Sequence, residues 1–92
     1  MIDKAVAIIE DFMKHNPEAD EEQMIDIDRF HSVVFWLDSE GEFTKVDAEP
    51  PYFEGEVTVY PRFAYLMRFD SYGVLQEQID IKNKITPHIE RA

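Results

Sequence analysis

Helical periodicity occupies one short stretch at the start of this chain, and almost everything after it is patterned for strands. Ala5, Ile8, Ile9, Phe12 and Met13 recur every three to four residues and make a single apolar stripe. Asp3 is placed to cap this helix. Asn16-Pro17 is placed to end it, because the residue before a proline avoids the α region. Pro17 and the acids behind it suit a short second helix through Glu22. From Met24 onward the pattern changes. Met24 to Asp28 alternates weakly, and Phe30 to Leu37 is rich in β-branched and aromatic residues, with Val33, Val34, Phe35 and Trp36 unbroken. Asp38-Ser39-Glu40-Gly41 reads as a turn, with Glu42 to Ala48 returning as the second arm of a hairpin. Glu49-Pro50-Pro51 reads as a loop. Glu56 to Tyr60 alternates until Pro61 stops or bulges it. Phe63 to Asp70 and Val74 to Lys82 flank Ser71-Tyr72-Gly73 as a second hairpin. Thr86-Pro87 opens a C-terminal turn or helix.

The expected fold is therefore α+β. An N-terminal helix packs on an antiparallel sheet of about five strands, and residues 1–92 form a single domain. One short helix covers one face of such a sheet. Phe35, Trp36, Tyr52, Phe53, Tyr60, Phe63, Tyr65, Phe69 and Tyr72 cannot all lie beneath it. A homodimer would bury the surplus; otherwise the rings sit half-exposed, as Tyr often does.

Charge is the second constraint. The chain carries a net charge of −11, confined to its first part. Residues 1–56 hold 16 Asp and Glu against 4 Lys and Arg, whereas residues 57–92 hold 4 against 5. A small soluble domain needs roughly 2–8 net charges, and a larger excess destabilises the compact state by self-repulsion. A negative surface therefore points to function. It repels nucleic acid and anionic membranes and attracts basic proteins, including those whose own ligand is nucleic acid.

The acids are also spaced. Glu18, Asp20 and Glu22, then Asp26 and Asp28, then Asp38, Glu40 and Glu42, then Asp47 and Glu49, then Glu54 and Glu56 step by two residues, with Glu21 lying inside the first group. In an extended segment that step is about 6.6 Å along one face. Phosphates on one DNA strand rise about 3.4 Å each along the axis, over a longer backbone path. Rows of carboxylates at strand spacing can therefore approximate a line of phosphates. The plain alternative is a solvated strand face kept soluble by acids, or an acidic part neutralised by the basic residues that follow it.

Other chemistry leaves little trace. There is no Cys, hence no disulfide framework and no thiolate ligand or nucleophile. His15, His31 and His88 form no metal or triad spacing, and His15 suits a helix C-terminus. Asp38 to Glu42 has some features of a calcium loop, but its Gly falls at the fourth position rather than the sixth and the later ligands are wrong. No phosphate loop or dinucleotide fingerprint exists among only 3 Gly. No metal or cofactor is expected, and the chain reads as a non-enzyme. No apolar run reaches the roughly 18 residues of a membrane span, and the start lacks a signal-peptide layout, which places the expected compartment in the cytoplasm.

The acidic stretch Glu18-Ala19-Asp20-Glu21-Glu22, the pairs Asp26/Asp28 and Glu40/Glu42, and the small size resemble the phage-encoded DNA-mimic, anti-restriction proteins. That resemblance implies a homodimer whose carboxylates imitate duplex DNA. It also implies a host restriction enzyme or a histone-like nucleoid protein as partner, and no catalytic residues. The partner-binding carboxylates would be Glu18, Asp20, Glu21, Glu22, Asp26, Asp28, Asp38, Glu40, Glu42, Asp47, Glu49, Glu54 and Glu56. The second reading is a small acidic adaptor or immunity-type module that binds one basic protein. The third comes from Arg68-Phe69-Asp70-Ser71-Tyr72-Gly73-Val74-Leu75, which resembles the last hairpin of polyketide-cyclase-type domains. It implies a small-molecule cavity holding His31 or a buried carboxylate. Those domains are longer and carry more helices before the sheet.

Overall fold

A computed structural model describes the backbone of residues 1–44 and 52–91 and the side chains of residues 1–41 and 55–91. Helix α1 (Ile2–His15) is followed by β1 (Gln23–Asp26), β2 (His31–Thr44), β3 (Tyr52–Phe69), β4 (Leu75–Asp80), a 3-10 turn (Lys82–Lys84) and β5 (His88–Arg91). The strands form one antiparallel sheet in the order β1-β2-β3-β4, with β5 also paired to β3. The expected α+β fold is present: one helix on a five-stranded antiparallel sheet.

The apolar stripe explains α1. Ala5, Ile9 and Met13 are buried, and Phe12 meets Phe35 edge-on at 5.2 Å. Asp3 makes no cap hydrogen bond; it lies inside the first turn, where an acid is favoured by the helix dipole. Asn16 ends the helix, its backbone N–H donating to the Phe12 carbonyl at 2.8 Å. Residues 17–22 do not continue into a second helix. Pro17 is buried, and the Ala19 N–H closes a turn on the Asn16 carbonyl at 3.1 Å.

Beneath the helix, Val33, Phe35 and Leu37 of β2 pack with Val57, Val59, Ala64 and Leu66 of β3, and Ile81 and Ile85 join the same cluster. Ala64 lies directly across from Phe35, so a small residue makes room for a ring. Fully burying a ring of that size contributes roughly 1.5–3 kcal/mol.

β2 and β3 differ from the expected hairpins. Asp38 to Gly41 is not a turn, because β2 runs through it to Thr44. Gly41 supplies a bulge, with φ +115°, and a Cβ there would lie 2.6 Å from the Glu56 carbonyl oxygen. The positive φ that a turn needs serves here to let two strands approach. Glu56–Tyr60 and Phe63–Asp70 are not separate strands. Pro61 pairs with Leu37 at a bulge, and β3 continues past it. The bulge accommodates a residue with no N–H to give to the ladder. The β3–β4 hairpin turns through Asp70–Val74 as expected, with the Gly73 N–H donating to the Asp70 carbonyl at 3.0 Å. Past Thr86-Pro87 the chain forms β5 instead of a helix, pairing Val59 with His88 and Glu56 with Arg91.

Candidate functional site

The acids distribute over two surfaces. The first is the β1 edge of the sheet. Glu18, Asp20, Glu21 and Glu22 are all exposed on the turn between α1 and β1. They do not form a strand row, so the two-residue step does not space them there. In β1 the side chains alternate, with Gln23 and Ile25 half-buried and Met24 and Asp26 outward. Asp26 accepts a hydrogen bond from the Ser32 hydroxyl at 2.8 Å, which satisfies a serine only 6% exposed.

Asp28 lies past the end of β1, so it does not share a strand face with Asp26. It organises the β1–β2 turn. One carboxylate oxygen accepts the Phe30 and His31 backbone N–H groups at 2.9 Å each and meets His31 Nδ1 at 2.9 Å. The His31 side-chain contact, followed by the Phe30 amide, holds the Asp28 carboxyl below the usual carboxylate range.

The second surface is the face of the sheet turned away from α1. Asp38 and Glu40 share it, two residues apart in β2, so the strand spacing holds for this pair. The Gly41 bulge then breaks the step. It places Glu42 opposite Glu54 in the β2–β3 backbone register. Asp47 and Glu49 lie outside the described residues. Two of these acids meet bases from the later part of the chain. Arg62 Nη2 reaches Asp38 at 3.5 Å, and Arg91 Nε donates to Glu56 at 3.0 Å. The alternative of internal neutralisation therefore holds at Asp38 and Glu56. Among the described residues no Lys or Arg forms an ion pair with Glu18, Asp20, Glu21, Glu22, Asp26 or Asp28, and Asp28 pairs with His31 instead.

Between the acids of this second surface lie aromatic rings. Trp36 and Phe63 meet edge-on at 6.5 Å, Phe63 and Tyr65 lie 5.8 Å apart, and the Arg62 guanidinium stacks 5.1 Å from the Trp36 ring centre. Asp20 reaches this group from the edge, accepting the Trp36 indole N–H at a long 3.4 Å. The signal in the sequence was the run Phe63 to Met67. Ala64 and Leu66 alternate there with Phe63, Tyr65 and Met67, so β3 is apolar on both sides. Arg62 could not be assigned to this face from spacing, because only the Pro61 bulge puts it there.

A separate cleft of about 370 Å³ opens between the start of α1 and the sheet, beside His31, Asp3, Arg68 and Glu77. Of its polar groups, His31 is engaged with Asp28, and Arg68 lies 3.9 Å from Glu77. Among the described residues no helix is long and apolar enough to cross a membrane. No family model, curated protein or solved structure matches this chain.

Proposed function

We propose that this chain is a non-enzymatic acidic inhibitor that occupies the DNA-binding site of a basic host protein in the cytoplasm. The observation that carries this reading is the β1 edge. Glu18, Asp20, Glu21, Glu22, Asp26 and Asp28 crowd one short edge strand and the turns on either side of it, with Arg29 the one base beside them. Such a field steers a cationic partner and raises the association rate. In this reading a second copy would lengthen the charged surface further.

The test is a tagged pull-down from nuclease-treated bacterial lysate. DNA-binding proteins should be retained, released by rising salt and displaced by added duplex. Retention that duplex cannot displace would defeat the mimic. It would favour the second reading, an adaptor or immunity-type module that binds one basic protein. The aromatic face favours that alternative, since a DNA backbone presents no counterpart to Trp36 and Phe63.

A further inference from the structure

The sheet has two apolar faces and α1 covers one of them. On the other, Val34 and Met67 are only 7% and 8% exposed although no helix or strand lies over them among the described residues. Their neighbours on the same face shield them. Val34 stands between Met24 and Tyr65 in the strand register, and Met67 stands beside Ser32 and Gln78. The Trp36, Phe63 and Tyr65 rings form the outer surface. Toward the turns this strip opens into a groove of about 450 Å³, walled by Met24, Phe30 and Phe69 and edged by Asp26, Asp28 and Asp70. Met24 is 60% exposed. A contiguous apolar patch with a polar rim on a small domain marks an interaction surface.

The rim charges decide what can occupy it. Asp20 and Asp38 flank Trp36 and Arg62, and Asp26, Asp28 and Asp70 edge the groove. The bases on this rim are Arg62 and Arg29. Arg62 is committed to Asp38 and Trp36, and Arg29 stacks 5.3 Å from the centre of the Phe30 ring. A second copy would set these carboxylates against their own kind on a chain of net charge −11. A cationic occupant is attracted instead. The Arg62–Trp36 stack also shows that a guanidinium fits against this aromatic surface. We infer that the open face binds a Lys/Arg-rich amphipathic segment of a partner protein, its apolar side on Trp36, Phe63 and Tyr65 and its cations on the acidic rim. The rim shares Asp20, Asp26 and Asp28 with the mimic reading, but the apolar anchor on Trp36, Phe63 and Tyr65 is one that DNA mimicry does not need.

Trp36 is the one tryptophan of the chain, so its fluorescence reports on this face alone. The probes are a synthetic Leu/Lys peptide with an apolar helical stripe and an isomer of the same composition with the stripe scrambled. The striped peptide should shift Trp36 emission to the blue and protect it from acrylamide. It should bind about tenfold tighter than the scrambled one and keep part of that advantage in high salt. Phe63→Ala and, independently, the exposed Met24→Ser should each reduce that advantage with circular dichroism unchanged. Glu18→Gln/Glu21→Gln/Glu22→Gln should lower the affinity for both peptides and leave their ratio intact, which separates this inference from the DNA-site reading. Equal binding of the two peptides would overturn it. So would Trp36 becoming buried as the free protein is concentrated, with sedimentation showing a dimer, since that outcome assigns the face to a second copy.

Discussion

The two faces of this sheet come from the same strands and meet different surroundings. In β2, Val33, Phe35 and Leu37 point to α1 and are fully excluded from water or nearly so, while Trp36 and Asp38 on the opposite side remain half-exposed. The helix face is closed by apolar side chains, with no charge among its core members. The open face mixes rings with carboxylates and one stacked arginine. An unbroken apolar run such as Val33–Leu37 ordinarily marks a strand buried on both sides. Here one side has its cover and the other is apolar without one. The first face stabilises the fold, and the second is available for recognition.

The sharpest way to break this contrast is Phe35→Ala. Removing a fully buried ring with its Phe12 partner should destabilise the protein by about 3–5 kcal/mol, read as a fall in the urea midpoint. A loss under about 1 kcal/mol would mean that the helix face is not the core described. Gly41→Ala should follow. A Cβ 2.6 Å from the Glu56 carbonyl at φ +115° forces the β2–β3 hairpin to shift, at roughly 1–3 kcal/mol. Wild-type stability in that variant would show that the bulge is easily relaxed.

On the open face, Phe63→Ala should lower stability by only about 1 kcal/mol, mostly through its ring contacts with Trp36 and Tyr65. A loss equal to that of Phe35→Ala would erase the distinction between the faces. Glu18→Gln/Glu21→Gln/Glu22→Gln should change the thermal midpoint least, with stability within about 0.5 kcal/mol or slightly raised as self-repulsion falls. A large destabilisation would make these acids structural.

Asp28 sharpens the comparison at the turn that leads into both faces. Its folded-state carboxyl sits below its ordinary value, so its stabilising contribution is present above the unfolded pKa and is lost as pH falls through the folded one. Asp28→Asn keeps an oxygen for the Phe30 and His31 amides but cannot titrate. Its urea midpoint should therefore fall less steeply than the wild type as pH drops through the acidic carboxylate range. Parallel curves would show that Asp28 does not contribute to the acid sensitivity.

What the sequence made legible was local. The α1 stripe, the Asn16 stop and the Gly73 turn each follow from a few adjacent residues, and with the strand-patterned runs after Met24 they imply the α+β class. What it hid depends on partners far along the chain. Asp38-Ser39-Glu40-Gly41 has turn chemistry, yet Ser39 pairs with Val59 and the strand continues, because β3 is long enough to accompany it. His88–Arg91 shows no strand alternation strong enough to outweigh Pro87, and becomes β5 only against residues 56–59. The acidic ladder was visible as spacing, but its neutralisation at Asp38 and Glu56 was not. Arg62 is 24 residues from Asp38 and Arg91 is 35 from Glu56, and only the fold brings them together.

β3 has a further consequence for how the molecule opens. Along one edge it is paired with β2, and along the other it is shared end to end by β5 at residues 56–59 and β4 at residues 65–69, with the Ile81 N–H bridging to Ala64 between them. A single strand is thus clamped by two short ones that can detach separately. Amide hydrogen exchange should divide β3 into two blocks. The block under the four-residue β5 should exchange first, while the block held by β4 exchanges only when the whole sheet opens.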